Sequence, residues 1–145
     1  MTEKRFFIPD WFRTTMTPDG GGGWSFHNDE GEIKMAQAVQ IGNVLHVAGQ
    51  VAWDKNGNVV GKGDLLVQSR QVFKNIQDVL TLADATLNDV VKMVMYFTDM
   101  SNIHAFRQAR KEVMPGVACI TTGIQVAGLT QPDLLLEVEV MAILS

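Results

Sequence analysis

The spacing of apolar and polar residues along the chain changes from segment to segment and predicts the elements of the fold. Residues 38–41 and 44–48 are short runs rich in β-branched side chains, and Gly42-Asn43 between them predicts a β-hairpin. Three further segments, at residues 90–97, 118–127 and 134–144, are similarly rich in residues that favour β-strands and are predicted to be strands. The chain is therefore expected to be built around a β-sheet.

Two segments have the periodicity of helices instead. Between residues 65 and 83 the apolar positions recur at steps of three and four, the spacing of one face of an α-helix, and Asp64 is its expected N-cap. A second helix is predicted to begin with Ser101 as N-cap and to end before Pro115. The order of elements describes an α+β fold, with a single mixed β-sheet of about six strands and two helices packed on one face.

Both faces of this sheet are predicted to be apolar, although the helices can cover only one. In the last strand, alternate residues from Leu134 to Leu144 form an apolar row that suits the helices, and the opposite row carries Glu137 and Glu139. The apolar residues assigned to the uncovered face are Val91, Met93, Met95, Met141 and Ile143. Such a face needs a second cover, which another copy of the chain supplies most simply.

The first 31 residues differ from the rest of the chain. Two aromatic-rich pieces, at residues 6–12 and 24–27, flank four glycines at residues 20–23. We therefore expect residues 1–31 to be an N-terminal extension and residues 32–145 to be the domain. The extension is expected to pack on the domain or on a neighbouring subunit, because so many aromatic rings are costly to leave in water.

Composition and charge narrow the classes of partner. The 145-residue chain has a formal net charge of −4, and its 12 Lys and Arg residues form no stripe for nucleic acid. No apolar run is long enough to span a membrane or to serve as a secretory signal. We therefore expect no membrane partner, and we expect the chain to be located in the cytoplasm. Cys119 and the three histidines lack metal-site spacing, so no metal or cofactor is expected.

A series of segments resembles the RidA/YjgF (reactive intermediate deaminase) family in order and spacing. The segments are MAQAV at 35–39, GNVLHVAGQ at 42–50, QSRQVFKNI at 68–76, NDVVK at 88–92, YFTDM at 96–100 and LEVE at 136–139. The resemblance implies a chorismate-mutase-like fold and a homotrimer with pockets in the clefts between subunits. It also implies hydrolysis of reactive enamines and imines, such as 2-aminoacrylate, to keto acids and ammonia without a cofactor.

The resemblance also assigns residues to the pocket. Glu137 matches the acidic residue that helps to position water, and Gly49 matches the glycine that lines the pocket. Met35 stands where many members have tyrosine. On this basis Glu137 is the candidate catalytic residue, while Gly49 and Met35 are candidate substrate-binding residues.

The signature arginine of the family is absent. Thr121 occupies its position, and Thr122 and Gly123 follow in the segment that lines the pocket. An arginine–carboxylate contact contributes roughly 1.5 to 3 kcal/mol, and a threonine hydroxyl about half of that. An α-carboxylate should be held about ten- to a hundredfold less tightly, which predicts a poor 2-aminoacrylate deaminase. Arg107 and Arg110 are expected to face away from the pocket.

Glu137 and Glu139 lie two residues apart in a strand, so their carboxylates should project from the same face. Burial and like charge would raise a pKa there and suit proton transfer, although one or both could instead pair with a subunit neighbour such as Lys92. His46 is a further candidate base, but a strand histidine is more often a structural hydrogen-bonding group.

Two functions stay open on these grounds. The first is a hydrolase that adds water to an imine, enamine or related small molecule in an intersubunit cleft. The second is a non-catalytic trimer that binds a metabolite in the same cleft, which the missing arginine also favours. Endoribonuclease activity, a third function attached to family members, is disfavoured by the acidic charge balance.

Overall fold

The computed structural model describes residues 3–11 and 36–145, so Met35 and most of the expected extension lie outside the described residues. Within them the elements are β1 (Lys4–Phe7), β2 (Ala38–Ile41), β3 (Val44–Val51), α1 (Leu65–Thr81), a 3₁₀ turn (Leu87–Asp89), β4 (Val90–Phe97), α2 (Ile103–Val113), β5 (Ile120–Gln125) and β6 (Leu136–Ile143). The strands form one sheet in the order β1-β2-β3-β6-β4-β5, and only β4 and β5 are parallel. This confirms the predicted α+β fold.

One of the two edge strands of the sheet, β1, comes from the segment that the sequence marks as an extension. Phe6 pairs with Val39 and Phe7 with Ala38, and Phe7 is buried in the core. A four-residue strand beside Pro9 carries little periodicity of its own, and it was not among the strands predicted from the pattern.

The first helix begins where the sequence predicts. The Asp64 carboxylate accepts a hydrogen bond from the backbone N–H of Val67 at 3.0 Å, which confirms the N-cap. The side chains of Val72, Ile76 and Val79 are completely buried, because they lie on the face of α1 that packs against the sheet.

The second helix begins one residue later than predicted. Asn102 rather than Ser101 occupies its N-cap position, and the Ser101 hydroxyl donates to a carboxylate in the preceding turn at 2.9 Å. Phe106 of α2 stacks on Phe73 of α1 and meets Phe97 of β4 edge on, with ring centroids 5.5 and 5.4 Å apart. These rings fix α2 against α1 and the same face of the sheet.

The assignment of Met93 and Met95 to the uncovered face is wrong. Both side chains are buried on the helix-covered side, opposite the buried row of β6. The cause is a register shift between Val90 and Lys92, where β4 has an additional residue relative to β6. Such a bulge moves the following side chains to the opposite face.

Among residues 3–11 and 36–145, no helix or strand packs over the other face of the sheet. One row of paired residues crosses the whole sheet on this face: Phe6, Val39, His46, Met141, Lys92 and Ile120. The next rows bear Glu139 with Val94 and Thr122, and then Glu137 with Tyr96 and Ile124. We call this surface the open face.

Candidate functional site

Glu137 and Gly49 are in direct contact at the centre of the sheet. Glu137 lies on β6 with its carboxyl half-buried, and Gly49 lies on β3 where the pairing with β6 shifts register between Val47 and Gln50. A β-carbon built on Gly49 would overlap the Glu137 Oε1 atom and lie 2.8 Å from its Cδ atom. Only glycine leaves room for the carboxyl there. The structure thus brings together two of the residues assigned to the pocket.

The surroundings of Glu137 change its acidity. Burial raises the pKa of Glu137, and the negative charge of Glu139, two residues along the same face, raises this pKa further. The sequence predicted both causes. A carboxyl with a raised pKa holds and releases a proton closer to neutral pH than an ordinary glutamate does.

Tyr96 is a member of this cluster that the sequence analysis missed. It lies directly opposite Glu137, on β4. Partial burial raises the pKa of its phenol, and the charges of Glu139 and Glu137 add to the effect. The phenol therefore stays protonated and can donate a hydrogen bond on the same face as the two carboxyls. Only the strand register, which the sequence does not reveal, pairs Tyr96 with Glu137.

Buried amide groups line a small cavity of about 40 Å³ beside Gly49. The Gln50 amide donates to the Gln37 side-chain oxygen at 2.6 Å, and the Asn75 amide donates to the backbone carbonyls of Val51 and Trp53, each at 2.9 Å. The sequence held one signal for this cluster, because Asn75 is a polar residue beside the apolar stripe of α1. These hydrogen bonds hold the backbone around Gly49 in place.

A larger cavity of about 390 Å³ opens on the open face. His46, Lys92 and Glu139 line it, together with Phe6 and Met141. The structure thus brings the two further candidates, His46 and Glu139, to one cavity. Within the described residues of one chain, Lys92 forms no ion pair with Glu139 or with any other carboxylate.

The candidate residues Thr121, Thr122 and Gly123 lie on the edge strand β5, where every residue is exposed. Thr121 pairs with Met93 and so faces the helical side, whereas Thr122 pairs with Val94 and faces the open side. Because β4 lies between β5 and β6, residues of these two strands are about 10 Å apart within one chain. A single chain therefore does not gather these three residues around the Glu137 carboxyl.

The two arginines of α2 have different surroundings. Arg107 is exposed, as expected for a residue that faces away from the sheet. Arg110 instead reaches the segment that leads into β5, where its guanidinium donates to the Val117 carbonyl at 3.2 Å and to the Cys119 sulfur at 3.5 Å.

Two features that are absent from residues 3–11 and 36–145 bear on the type of site. In these ranges, no group of three or more His, Cys, Asp or Glu side chains is arranged to hold a metal ion. The helices in the same ranges include none with both the length and the apolar character needed to cross a membrane.

Known proteins share both the sequence and the fold of this chain. A family model described as Endoribonuclease L-PSP matches residues 31–144. A RutC family protein from Pyrococcus horikoshii is 34% identical over 107 residues, which cover 74% of this chain and 84% of that protein. A RutC family protein from Sulfurisphaera tokodaii is 32% identical over 106 residues, 73% of this chain and 84% of that protein.

Solved structures agree with the sequence matches. RidA from an Antarctic Psychrobacter has a TM-score of 0.71 at 26% identity, over 77% of this chain and 89% of that one. A YjgF/YER057c/UK114 family member from Mycobacterium tuberculosis has a TM-score of 0.74 at 24% identity, over 98% of this chain and 100% of that one.

Proposed function

Because the chain belongs to the RidA/YjgF family, we propose that it hydrolyses small reactive imines and enamines to carbonyl compounds and ammonia in the cytoplasm. The observation that carries the proposal is the Glu137 carboxyl. It is half-buried against Gly49, it lies opposite Tyr96, and burial together with the charge of Glu139 raises its pKa. Hydrolysis of this kind needs an acid and a base but no metal or organic cofactor.

Glu137 performs the first two proton transfers of the proposed reaction. In its protonated form it donates a proton to the β-carbon of an enamine, which becomes an iminium ion. The resulting carboxylate accepts a proton from water while the water oxygen bonds to the iminium carbon, and a carbinolamine forms. The carbinolamine transfers its hydroxyl proton to nitrogen, its C–N bond breaks, and ammonia leaves the carbonyl product. A raised pKa suits a group that must act in both protonation states.

In this proposal the pocket is completed between chains of a homotrimer. The open face exposes Phe6, Ile143 and two residues of the edge strand β5, Ile120 and Ile124, and 68% of the surface of Ile120 is accessible. Apolar surface of this extent beside an unpaired strand edge is typical of a subunit contact. Three sheets facing inward would cover it, and β5 of one chain could then approach Glu137 of the next.

A second candidate is a trimer that binds a metabolite in the same cleft without turnover. The observation that favours it is the neutral, exposed pair Thr121 and Thr122 at the place of the family's arginine. Hydroxyl groups can hold a ligand, but they provide no charge to anchor a carboxylate.

The two functions are separated by an assay on freshly generated enamines and imines, with and without carboxylate groups. Ammonia and carbonyl product released in equal amounts, faster than in buffer, would support the hydrolase. If the carbonyl compounds raise the thermal stability of the chain but no substrate is turned over, the hydrolase is rejected in favour of the binding protein.

A further inference from the structure

Two residues of the neighbouring strand β4 can reach the carboxylate of Glu139. Val94 lies directly opposite Glu139 in the register, so Lys92 and Tyr96, two residues to either side of Val94, are its diagonal neighbours on the open face. Residues in diagonal positions lie about 7 to 8 Å apart, which long or aromatic side chains can bridge. A lysine and a tyrosine therefore compete for the same carboxylate.

Tyr96 is the residue that binds Glu139. Its hydroxyl donates a hydrogen bond to the Glu139 carboxylate, and this bond is one of the causes that raise the pKa of the phenol. Lys92 lines the same cavity as Glu139, but among residues 3–11 and 36–145 it forms no ion pair with this or any other carboxylate. The Lys92 side chain is exposed, and an exposed ion pair contributes little because water screens it and a long side chain must be ordered.

The choice of partner determines where the charge of Glu139 lies. Tyr96 is directly opposite Glu137, whereas Lys92 is opposite Met141. The two partners are four residues apart, which is about 13 Å along a strand. A bond to Tyr96 keeps the carboxylate on the side towards Glu137, and a bond to Lys92 would draw it in the opposite direction. Because the interaction between two charges falls with distance, only the first arrangement keeps the charge of Glu139 close to Glu137.

The other titratable groups on the open face of the described strands are further from Glu137. β3 contributes His46, which lies level with a residue four positions further along β6. β1 contributes Lys4, three strands away from β6. The residues that β2 and β5 place on this face are uncharged. The titratable groups nearest to Glu137 are thus Tyr96 and the second carboxylate of β6.

We propose that Tyr96 is a positioning residue for the proposed reaction, because its hydroxyl holds the Glu139 carboxylate beside Glu137 and away from Lys92. The inference rests on the proposed function for the role of Glu137 in turnover, whereas the arrangement of the charges does not depend on it. Tyr96 itself contacts no reacting atom in this proposal. It keeps a negative charge beside the group that transfers protons, which favours the protonated form of that group.

A carbon-detected NMR titration of the Glu137 carboxyl in the full chain tests the inference. Tyr96→Phe removes only the hydroxyl, so the pKa of Glu137 should fall, and by no more than it falls in Glu139→Gln. In the Glu139→Gln background, Tyr96→Phe should cause no further fall, because Tyr96 acts through Glu139. This cycle separates the bond between the two side chains from any direct effect of Tyr96 on the burial of Glu137.

Lys92→Gln is the matched variant for the competing partner. Alone it should leave the pKa of Glu137 unchanged, because at about 0.15 M salt a charge that far along the strand is screened. Combined with Tyr96→Phe, it should restore most of the wild-type pKa, since the cation that draws Glu139 away is then gone. In the ammonia-release assay, the upper pH limit of activity should move down in Tyr96→Phe and return in the double variant.

The inference is overturned if Tyr96→Phe leaves the pKa of Glu137 unchanged, or lowers it equally with Glu139 and with Gln at position 139. It is also overturned if Lys92→Gln restores nothing in the Tyr96→Phe variant. Its failure differs from that of the proposed function. Ammonia release by a chain in which Tyr96→Phe does not alter the pKa would reject this inference alone. The predicted pKa changes in a chain that releases no ammonia would reject the proposed function and keep the role of Tyr96 in placing the charge.

Discussion

The backbone of Gly49 on β3 packs so closely on the Glu137 carboxyl of β6 that no β-carbon fits between them. The contact is made where β3 departs from regular pairing, between Val47 and Gln50. Buried amides of Gln37, Gln50 and neighbouring groups hold this part of β3. The glycine therefore fixes where the carboxyl lies, and the carboxyl is the group on which the proposed chemistry depends.

Gly49→Ala should reduce turnover by about tenfold to a hundredfold without unfolding the chain. The added methyl group would push the flexible end of Glu137 aside, and a displacement of about 1 Å at a reacting group can lower the rate by such factors. The measurement is kcat for ammonia release, with circular dichroism to confirm the fold. Gly128→Ala is the matched control, since no atom lies within 4 Å of its added β-carbon. Equal rates for the two variants would show that the Gly49 contact has no role in turnover.

The pKa of Glu137 should fall in Glu139→Gln but stay above the ordinary value for glutamate. The charge of Glu139 is the second cause of the raised pKa, and burial, the first cause, remains in the variant. A carbon-detected NMR titration of the Glu137 carboxyl measures the change. An unchanged pKa would mean that the two carboxyls do not interact.

The same raised pKa makes stability depend on pH. Because the pKa of Glu137 is higher in the folded chain, its contribution to stability is fully present below the unfolded pKa and is lost as pH rises through the folded pKa. Glu137→Gln removes this loss. In urea unfolding at a series of pH values, the stability of the variant relative to wild type should therefore increase across that window, and a constant difference would contradict the assignment.

Light scattering should give a mass three times the chain mass of 16.0 kDa. Ile120→Lys should lower this mass, because Ile120 is the most exposed large apolar residue of the open face. Val113→Lys alters an exposed apolar residue of α2, on the helical side, and should leave the mass unchanged. A wild-type mass of one chain would remove the intersubunit pocket from the account.

Thr121→Arg should raise 2-aminoacrylate hydrolysis by about ten- to a hundredfold over a weak wild-type rate. The variant places a guanidinium where the α-carboxylate of this substrate would lie, and one charge-assisted bidentate contact accounts for a gain of that size. Coupling the chain to a serine dehydratase generates the substrate in the assay. A wild-type rate that the variant does not improve would show that position 121 is not the carboxylate position.

Local features of the fold could be predicted from the sequence because each depends on few neighbouring residues. Asp64 caps α1 by accepting a hydrogen bond from Val67, and Gly42 adopts the positive φ that the β2–β3 turn requires. In β6, buried residues alternate with partly or fully exposed ones, as its pattern indicates. The ordered family segments then identified the sheet as a whole. Gly49 and Glu137 were assigned to the pocket by their match to the same family segments, and the structure places them in contact.

The features that the sequence did not reveal depend on strand register. The additional residue in β4 sends Met93 and Met95 to the covered face, and no composition signal marks its position. Tyr96 joins the Glu137 cluster only through strand pairing with Glu137 itself, which comes 41 residues later in the chain. Arg110 was predicted to face away from the pocket because of the position of its helix, but its long side chain reaches Cys119, in the segment before β5.

The rate of ammonia release by Glu137→Gln tests the central claim most directly. Glutamine keeps the shape and much of the hydrogen bonding of glutamate but can neither give nor take the proton. Turnover should fall by about 10² to 10⁴-fold, the usual contribution of general acid–base catalysis, while the mass in light scattering stays that of the wild type. A variant that releases ammonia at the wild-type rate would contradict the account, because Glu137 would then be a structural residue of the sheet.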